Sequence, residues 1–209
     1  MNFCKIKLQY YLKMVYNILQ EVVKLKTVKP IRDPKKIKKV KNILKQRGYR
    51  DYLLFSIGIN TGLRISDILK LKVKDVKDKS HIILKEGKTQ KEKRFFINKK
   101  LREDIDAYIF NKEDDDFLFE SRKNDEEGNA KAISRNQAYN ILRAVADEVE
   151  LENIGTHSMR KTFGYHHYKK HKDIALLQEI FNHSSPSVTL KYIGINQENQ
   201  DNSVKEFYL

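Results

Sequence analysis

The chain has 209 residues, 40% of them hydrophobic, which suits one domain with a substantial core, and it has no apolar run long enough to span a membrane. Its single cysteine, Cys4, excludes an internal disulfide and a zinc site built from cysteines, so we expect a cytoplasmic protein. A net charge of +14 favours a polyanionic partner, and residues 1–50 carry most of it, with 15 Lys and Arg against two acids.

The first 26 residues predict a separate amphipathic helix. Apolar residues recur there with a helical period. Lys13 and Glu21 interrupt the segment and no small-residue cleavage site follows, which argues against a signal peptide. We expect residues 1–28 to form an appendage to the main domain.

Three helices of different character should follow. A basic helix is expected to begin at Asp33, an N-cap residue followed by proline, and to end near Gly48. The stretch Tyr49–Ile59 is almost wholly apolar, which predicts a buried helix that Gly62 ends. A short helix through residues 65–69 comes next.

A β-hairpin is the next predicted element. The segments HIILKE and KEKRFFIN indicate two strands joined by a turn at Gly87. Residues 99–110 fit either a third strand or a helix. The acidic stretch 111–128 predicts a loop, with FLF as a short buried piece. Its acids, far from the basic first 50 residues, favour a protein with one face toward nucleic acid and another turned away.

Helices dominate the remaining sequence. Ser134 with Gln137 three residues later is a capping box, which predicts a helix to about Val149. Thr156 or Ser158 is expected to cap a further helix, and others are expected to begin at Asp173, at Ser185–Pro186 and within 196–208. The predicted fold class is therefore mainly α with a small antiparallel β-sheet (α+β).

An arginine lies between two helical pieces in INTGLRISDILKL. Arg64 is flanked by apolar residues and needs a partner, which Asp67, three residues later, could supply. The two residues form either a structural ion pair at a helix start or a phosphate site, in which Asp67 holds the planar fork of Arg64 toward two oxygens.

Two further groups of basic residues could meet a phosphate. In THSMRKTF, His157 and Arg160 share a face at a helix N-terminus, where free N–H groups suit an anion, although such a pair is more often an ordinary exposed one. Lys88 lies at the hairpin turn, with Lys91 and Lys93 as competitors. Lysines there are usually just solvated, but a flexible hairpin can also enter a nucleic-acid groove.

Other kinds of active site fit the sequence poorly. His167 and His171 are four residues apart, but no carboxylate lies between them as in a zincin motif and no third ligand is evident, so we expect no metal site. The GKT at 87–89 lacks the upstream glycine of a P-loop, and no Gly-x-Ser-x-Gly elbow is present. These absences argue against an ATPase and a serine hydrolase.

Four segments, taken in order, resemble the catalytic domain of the tyrosine recombinase (phage integrase) family. They are TGLRISDILKLKVKDV, GKTQKEKRFFI, THSMRKTFGYHHY and IFNHSSPSVTLKYIGI. Their order and spacing carry the resemblance, above all the nine-position step from His183 to Tyr192. The matching domain covers 29–195 and is similar to short integrases of Gram-positive bacteria and their mobile elements.

The resemblance implies a metal-free and ATP-free strand-transfer chemistry with no cofactor. It implies six catalytic positions: Tyr192 as the nucleophile, Arg64 and Arg160 on the scissile phosphate, His157 as the proton acceptor, Lys88 as the proton donor, and His183 as a phosphate hydrogen-bond partner. Asp67 would hold Arg64 in place. The 3′-phosphotyrosyl bond would conserve the energy of the cleaved phosphodiester, so that a 5′-hydroxyl can rejoin the strand.

The resemblance also implies the partners. They are double-stranded DNA, a homo-tetramer of this chain on paired DNA sites, and accessory DNA-binding proteins, without a membrane and in the nucleoid. Residues 1–28 are too few for the separate N-terminal DNA-binding domain of such enzymes. We expect phosphate contacts from the basic segment instead, at Lys35, Lys36, Lys38 and Lys39. The tail 196–209 is expected to pack either in cis or on a neighbouring subunit.

Two alternative functions stay open at the level of sequence. A type IB topoisomerase uses similar chemistry but relaxes supercoils without pairing two sites. A non-catalytic DNA-binding protein would need none of the six positions, all of which are filled here.

Overall fold

The computed structural model describes residues 28–85 and 92–195, together with residues 204, 205 and 207. In these parts of the chain the helices are α1 (Pro34–Arg47), α2 (Tyr49–Thr61), α3 (Ile65–Ile68), α4 (Lys99–Ile109), α5 (Arg135–Glu148), α6 (Thr156–His171), α7 (Ile174–Phe181) and α8 (Pro186–Ile193). Strands β1 (His81–Lys85) and β2 (Glu92–Phe96) pair antiparallel, with His81 opposite Phe96. The predicted mainly helical class with one small sheet is confirmed.

Most helix ends follow from local sequence as predicted. The backbone N–H of Lys35 donates to the Asp33 side chain at the start of α1. The capping box of α5 is formed in both directions, because the Gln137 N–H donates to Ser134 Oγ and the Ser134 N–H donates to the Gln137 side chain. The ambiguous stretch 99–110 is helical, as α4, and Asn98 caps it.

The start of α6 differs from the prediction. Neither Thr156 nor Ser158 precedes the helix, since Thr156 is its first residue and Gly155 occupies the N-cap position. Ser158 lies in the first turn, and its Oγ accepts from the Gly155 N–H at 3.1 Å. A serine within the first turn can cap backward in this way, so a capping side chain alone does not fix the first helical residue.

Two hydrophobic clusters form the core. The larger one joins α1, α2, α4, α5 and the hairpin around fully buried side chains such as Leu44, Leu53 and Phe55. The smaller one lies between the second half of α6, α7 and α8, and its buried members are Tyr165, Leu177, Phe181, Ile193 and Ile195. Helix α6 contributes Met159 to the first cluster and Tyr165 to the second, and it therefore connects the two.

A strap of extended chain, residues 28–32, crosses α6. The Ile31 N–H donates to Thr162 Oγ1 at 2.8 Å, and the His166 ring lies 3.0 Å from the Ile31 carbonyl oxygen. The Arg32 guanidinium donates to the Gly194 carbonyl at 2.6 Å, directly after α8. The strap thus joins α6 to the C-terminal end of α8.

Two aspartates of the acidic loop after α4 pair with lysines. Asp115 pairs with Lys74 at 2.6 Å, and Asp114 pairs with Lys77 at 2.7 Å. These lysines balance two of the loop's carboxylates, and the predicted segregation of charge between two faces stays a prediction. Among the described residues, no helix is both long and apolar enough to cross a membrane.

Candidate active site

A basic cleft of about 340 Å³ opens between the α2–α3 turn, the hairpin and α7. Its lining residues are Leu63, Arg64, Asp67, Lys70, Leu84, Lys85, Lys93, Phe95, Arg160, Ile180 and Asn182. Five of these side chains are basic and one is a carboxylate. Such an excess of positive charge in a concave site favours an anionic ligand.

Arg160 forms the floor of this cleft and is only 5% exposed. Its guanidinium donates to the Gly62 carbonyl, donates to the Phe181 carbonyl at 2.9 Å, and lies 4.2 Å over the Phe181 ring. Burial lowers the pKa of Arg160 to about 10, against the opposing effect of Tyr192, so the side chain stays charged at neutral pH. A buried guanidinium fixed in this way is a rigid site for two anionic oxygens.

The carbonyl that Arg160 binds depends on a glycine. Gly62 ends α2 in the left-handed region, at φ +68°, and a Cβ there would lie 2.4 Å from the Phe163 ring. The turn therefore brings the α2 C-terminus closer to α6 than a residue with a side chain would allow.

Arg64 occupies the opposite side of the cleft. It is the N-cap residue of α3, has extended backbone angles and is exposed. The prediction that Arg64 and Asp67 form an ion pair is wrong, because no ion pair within 4.0 Å joins them in the described structure. The Ser66 hydroxyl approaches Asp67 Oδ1 at 3.4 Å. The two side chains therefore line one cleft without forming an ion pair with each other.

Tyr192 is half-buried on α8 and faces the arginines. The Ser185 side chain caps this helix by accepting from the Val188 N–H at 3.3 Å. The Tyr192 ring meets the Phe181 ring edge-on at 5.6 Å between centroids. Burial raises the pKa of Tyr192, while the charges of Arg160 and Arg64 and a hydrogen bond with Arg160 act in the opposite direction.

His183 contacts Tyr192 directly. Their ring centroids are 5.0 Å apart in an edge-to-face arrangement. His183 Nδ1 lies 3.1 Å from the hydroxyl of Thr189, a fully buried residue one turn before the tyrosine. Burial, followed by the charges of Arg160 and Arg64, lowers the pKa of His183, so its ring is neutral at physiological pH.

His157 lies in the first turn of α6, one turn before Arg160. Desolvation lowers the pKa of His157, and the charges of Lys161, Arg160, Arg64 and Arg135 lower it further. A neutral imidazole can accept a proton, whereas an imidazolium cannot. The structure thus brings together Arg64, Arg160, His183 and Tyr192, with His157 on the same helix as Arg160.

The other predicted site residues fall into three groups. Lys88 and Lys91 lie outside the described residues. Lys93 lines the cleft, and its ammonium is 3.4 Å from the Glu179 carbonyl oxygen. Lys35, Lys36, Lys38 and Lys39 lie on α1 and do not line the cleft, and Lys36 donates to the Glu150 carbonyl at 2.9 Å.

The sequence interpretation missed three basic residues at the site. Lys70 and Lys85 line the cleft, and Lys161 lies 5.0 Å from the centre of the Tyr192 ring. Lys161 follows Arg160 directly, which was its one available signal. Lys70 and Lys85 carried none, because isolated lysines in a sequence with 42 Lys and Arg do not stand out.

His167 and His171 are the two histidines of α6 whose spacing raised the question of a metal site. The His167 and His171 rings pack 4.7 Å apart beside Phe163. Within the ranges that the structure describes, no three or more His, Cys, Asp or Glu residues are grouped so that they could hold a metal ion.

Comparison with protein families matches residues 32–199 to the phage integrase family. Among curated proteins, the probable integrase/recombinase YoeC of Bacillus subtilis is 48% identical over 180 residues, covering 86% of this chain and 97% of YoeC. Tyrosine recombinase XerA of Pyrococcus horikoshii is 28% identical over 160 residues, covering 75% of this chain and 54% of XerA. The chain therefore spans nearly all of the first relative and about half of the second.

Solved structures show the same fold. A crystal structure of XerA recombinase aligns with a TM-score of 0.65 at 18% identity, covering 87% of this chain and 65% of that one. The catalytic domain of bacteriophage HP1 integrase aligns with a TM-score of 0.56 at 18% identity, covering 86% of this chain and 95% of that domain. The near-complete coverage of the HP1 domain identifies the fold as that of a recombinase catalytic domain.

Proposed function

This chain belongs to the phage integrase family and is a DNA strand-transferring recombinase of the tyrosine type, and from that premise we propose that Tyr192 forms a 3′-phosphotyrosyl bond with the DNA it cleaves. One observation carries the proposal. The Tyr192 side chain lies against Arg160, a buried guanidinium at the floor of a basic cleft. The proposed nucleophile is therefore a direct neighbour of a cation that can bind a phosphate.

The cleavage step follows from this arrangement. A phosphodiester enters the cleft, and Arg160 and Arg64 bind its non-bridging oxygens. The Tyr192 oxygen attacks phosphorus, a bond from that oxygen to phosphorus forms, and the bond from phosphorus to the 5′ oxygen breaks. The two arginines stabilise the extra negative charge of the pentacoordinate transition state, which a metal ion would otherwise have to do.

Two proton transfers complete the step. The raised pKa of Tyr192 means that the phenol is protonated at neutral pH and must lose its proton during attack. His157 is the proposed acceptor, because its lowered pKa leaves it neutral. On the resemblance of its motif, we assign to Lys88 the role of donating a proton to the departing 5′ oxygen. On the same basis, His183 forms a hydrogen bond with a phosphate oxygen.

Rejoining reverses these bonds. A 5′-hydroxyl from a second strand attacks the phosphotyrosyl bond and releases Tyr192. Because the covalent bond retains the free energy of the original phosphodiester, the exchange needs no ATP. Site-specific recombination between two duplexes is the reaction that this exchange supports.

The assembly in which this occurs is also a proposal. Exchange between two duplexes needs four cleavage events, which a homo-tetramer on paired DNA sites provides. Val204 and Phe207 are 71% and 68% exposed. They support a tail that packs on a neighbouring subunit, although residues 196–203, 206, 208 and 209 lie outside the described residues. Accessory DNA-binding proteins would add to the recognition of the DNA sites, in the nucleoid.

A suicide substrate tests the proposed chemistry. Nicked duplexes covering the DNA that flanks the gene should trap a covalent protein–DNA adduct, seen as a shifted band on a denaturing gel. Tyr192→Phe should abolish the adduct, and Tyr168→Phe, which changes another half-buried tyrosine, should retain it. An adduct that survives Tyr192→Phe would show that another residue is the nucleophile.

The same protein separates the two other functions. Relaxation of a supercoiled plasmid without exchange between two sites would favour a topoisomerase. Tight DNA binding without any adduct on the flanking DNA would favour a protein that only binds.

A further inference from the structure

Lys161 is a basic residue next to the proposed nucleophile that the cleavage step above does not use. It follows Arg160 on α6 and is half-buried. Its ammonium lies 5.0 Å from the centre of the Tyr192 ring and donates to the Val28 carbonyl at 2.8 Å. In the described part of the chain, no carboxylate lies within 4.0 Å of it.

A lysine in such a place is unfavourable by itself. Burial lowers the pKa of Lys161, because taking an ammonium out of water disfavours its charged form. Most lysines that the structure describes are exposed and avoid that cost. The two contacts of Lys161, a carbonyl and an aromatic face, are those that offset the loss of water around an ammonium.

The carbonyl that Lys161 binds belongs to the strap of residues 28–32. That strap is also bonded to α6 through Thr162 and to the end of α8 through Arg32 and Gly194. Lys161 therefore lies where the strap, the helix of Arg160 and the nucleophile ring meet. On the other side, the His183 ring packs edge-on against Tyr192 at 5.0 Å.

We propose that Lys161 is a positioning residue for strand cleavage, which holds the Tyr192 ring against Arg160 and ties it to the strap at Val28. The inference rests on the proposed function of Tyr192 as the nucleophile. The ammonium of Lys161 is already held by the Val28 carbonyl and the Tyr192 ring, which distinguishes it from Arg64 and Arg160 in the cleft lining.

The same ammonium acts on His157. The two residues are four positions apart on α6 and lie on one face. After desolvation, Lys161 is the largest cause of the lowered pKa of His157, ahead of Arg160 on the same helix, Arg64 at the start of α3 and Arg135 on α5. Removing the Lys161 charge should raise the pKa of His157 and so protonate the acceptor at a higher pH.

The test compares Lys161→Met, which keeps the length but removes the charge, with Lys161→Arg, which keeps the charge. Lys45→Met is the matched control, because the Lys45 ammonium also lies over a tyrosine ring, at 5.4 Å from Tyr49, but on α1. Each variant is measured for its single-turnover adduct rate from pH 5.5 to 9 at saturating suicide substrate, and for DNA affinity. The pKa of His157 is read by NMR of the free protein, assigned with His157→Gln.

For Lys161→Met we expect the maximal rate to fall by about tenfold or more, the scale on which a mispositioned group acts. We expect the acid limb of the pH profile and the NMR pKa of His157 to move upward together. DNA affinity should stay within about twofold of wild type, since the Lys161 ammonium is engaged by the Val28 carbonyl and the Tyr192 ring rather than by a phosphate. Lys161→Arg should restore most of the rate, and Lys45→Met should match wild type.

The outcomes separate the inference from the function on which it rests. No adduct with wild type would overturn the proposed chemistry. An adduct with wild type, together with an unchanged rate profile and His157 titration in Lys161→Met, would overturn the role of Lys161 alone. Lower DNA affinity with an unchanged rate at saturation would instead make Lys161 a phosphate contact and also overturn it.

Discussion

At the scale of single residues, the hydrogen-bond partners of a side chain decide what that side chain can do in the site. Thr189 is an example, because its one hydroxyl lies 3.1 Å from His183 Nδ1 and 3.2 Å from the Ser185 carbonyl oxygen. If the Thr189 hydroxyl donates its hydrogen bond to the Ser185 carbonyl, His183 must donate from Nδ1, and its Nε2 then carries no hydrogen. If the Thr189 hydroxyl donates to His183 Nδ1 instead, Nε2 carries the ring hydrogen and can donate it to a phosphate oxygen. Thr189 thereby decides which ring nitrogen of His183 carries the hydrogen, and only donation by Thr189 to Nδ1 leaves Nε2 able to donate to a phosphate oxygen.

Thr189→Val should remove this selection while preserving shape. We expect the rate of adduct formation to fall by roughly tenfold, on the scale of one misdirected hydrogen bond in a site. DNA affinity should stay close to wild type, because Thr189 is fully buried. Single-turnover cleavage measures the effect, and Thr189→Ser, which keeps the hydroxyl, should be far less affected. Equal losses in both variants would contradict the role of the hydroxyl.

At the scale of elements, α6 organises the site. Its first turn carries His157, its second Arg160 and Lys161, and its second half packs against α7 and α8. The position of Tyr192 relative to Arg160 is therefore set by how closely α8 approaches α6. Gly164 permits that approach, since a Cβ there would lie 2.7 Å from both the Ile193 side chain and the Phe181 ring.

Gly164→Ala should push α8 and α7 away from α6. We expect a loss of about 1–3 kcal/mol in the free energy of unfolding, typical of overpacking a core, and slower adduct formation. Chemical denaturation measures the first effect and single-turnover cleavage the second. Ile193→Ala should cost less stability in the Gly164→Ala background than in wild type, because it removes the side chain that is struck. Additive costs would mean that the helices do not clash at this point.

At the scale of the whole molecule, charge decides how DNA is approached. The cleft holds five basic side chains, and α1 presents exposed lysines elsewhere on the surface. Lys36 is engaged at the end of α5 through Glu150, which leaves Lys35, Lys38 and Lys39 as the better candidates for phosphate contacts on α1.

Replacing Lys35, Lys38 and Lys39 together by Gln should weaken DNA binding and flatten its dependence on salt. If all three neutralise phosphates, the slope of log affinity against log salt should fall by as much as about 2.7. Fluorescence anisotropy over a salt series measures this. The matched control replaces Lys72, Lys74 and Lys77, which removes the same charge where Asp114 and Asp115 balance it. Identical slopes for the two triple variants would exclude a special role for α1.

The proposed tail contact can be tested in the same way. Deleting residues 197–209 should prevent complexes that contain two DNA sites, because the exposed Val204 and Phe207 would be lost from the subunit interface. Binding to a single site should persist. A native gel with one-site and two-site DNA measures both. Normal two-site complexes would place the tail in cis.

Histidine titration should limit stability in acid. The pKa values of His157, His167 and His183 are lowered, with desolvation as the first cause of each. The unfolded chain therefore takes up these protons first, at about pH 6.5, and stability present above that pH is lost as the pH falls through the folded values. Calorimetry should show a lower Tm at pH 5.5 than at pH 7.5. His167→Phe, which removes a buried nitrogen that lacks a partner, should reduce the difference.

The sequence by itself determined the order of the elements and the set of candidate site residues. Caps such as Asp33, Ser134 and Asp173 act within one turn, so local sequence was enough to predict the helices that they start. The nine-position step from His183 to Tyr192, with its Ser185 restart, is local in the same sense and was read correctly as a short helix.

Only the tertiary structure decided which side chains meet. Arg160 and Arg64 look alike in the sequence, yet one is buried against carbonyls at positions 62 and 181 while the other is exposed at a helix start. The contact of Lys161 with Tyr192 has the same origin. Such contacts join residues far apart in the chain, and their geometry depends on how helices pack, which no local propensity encodes.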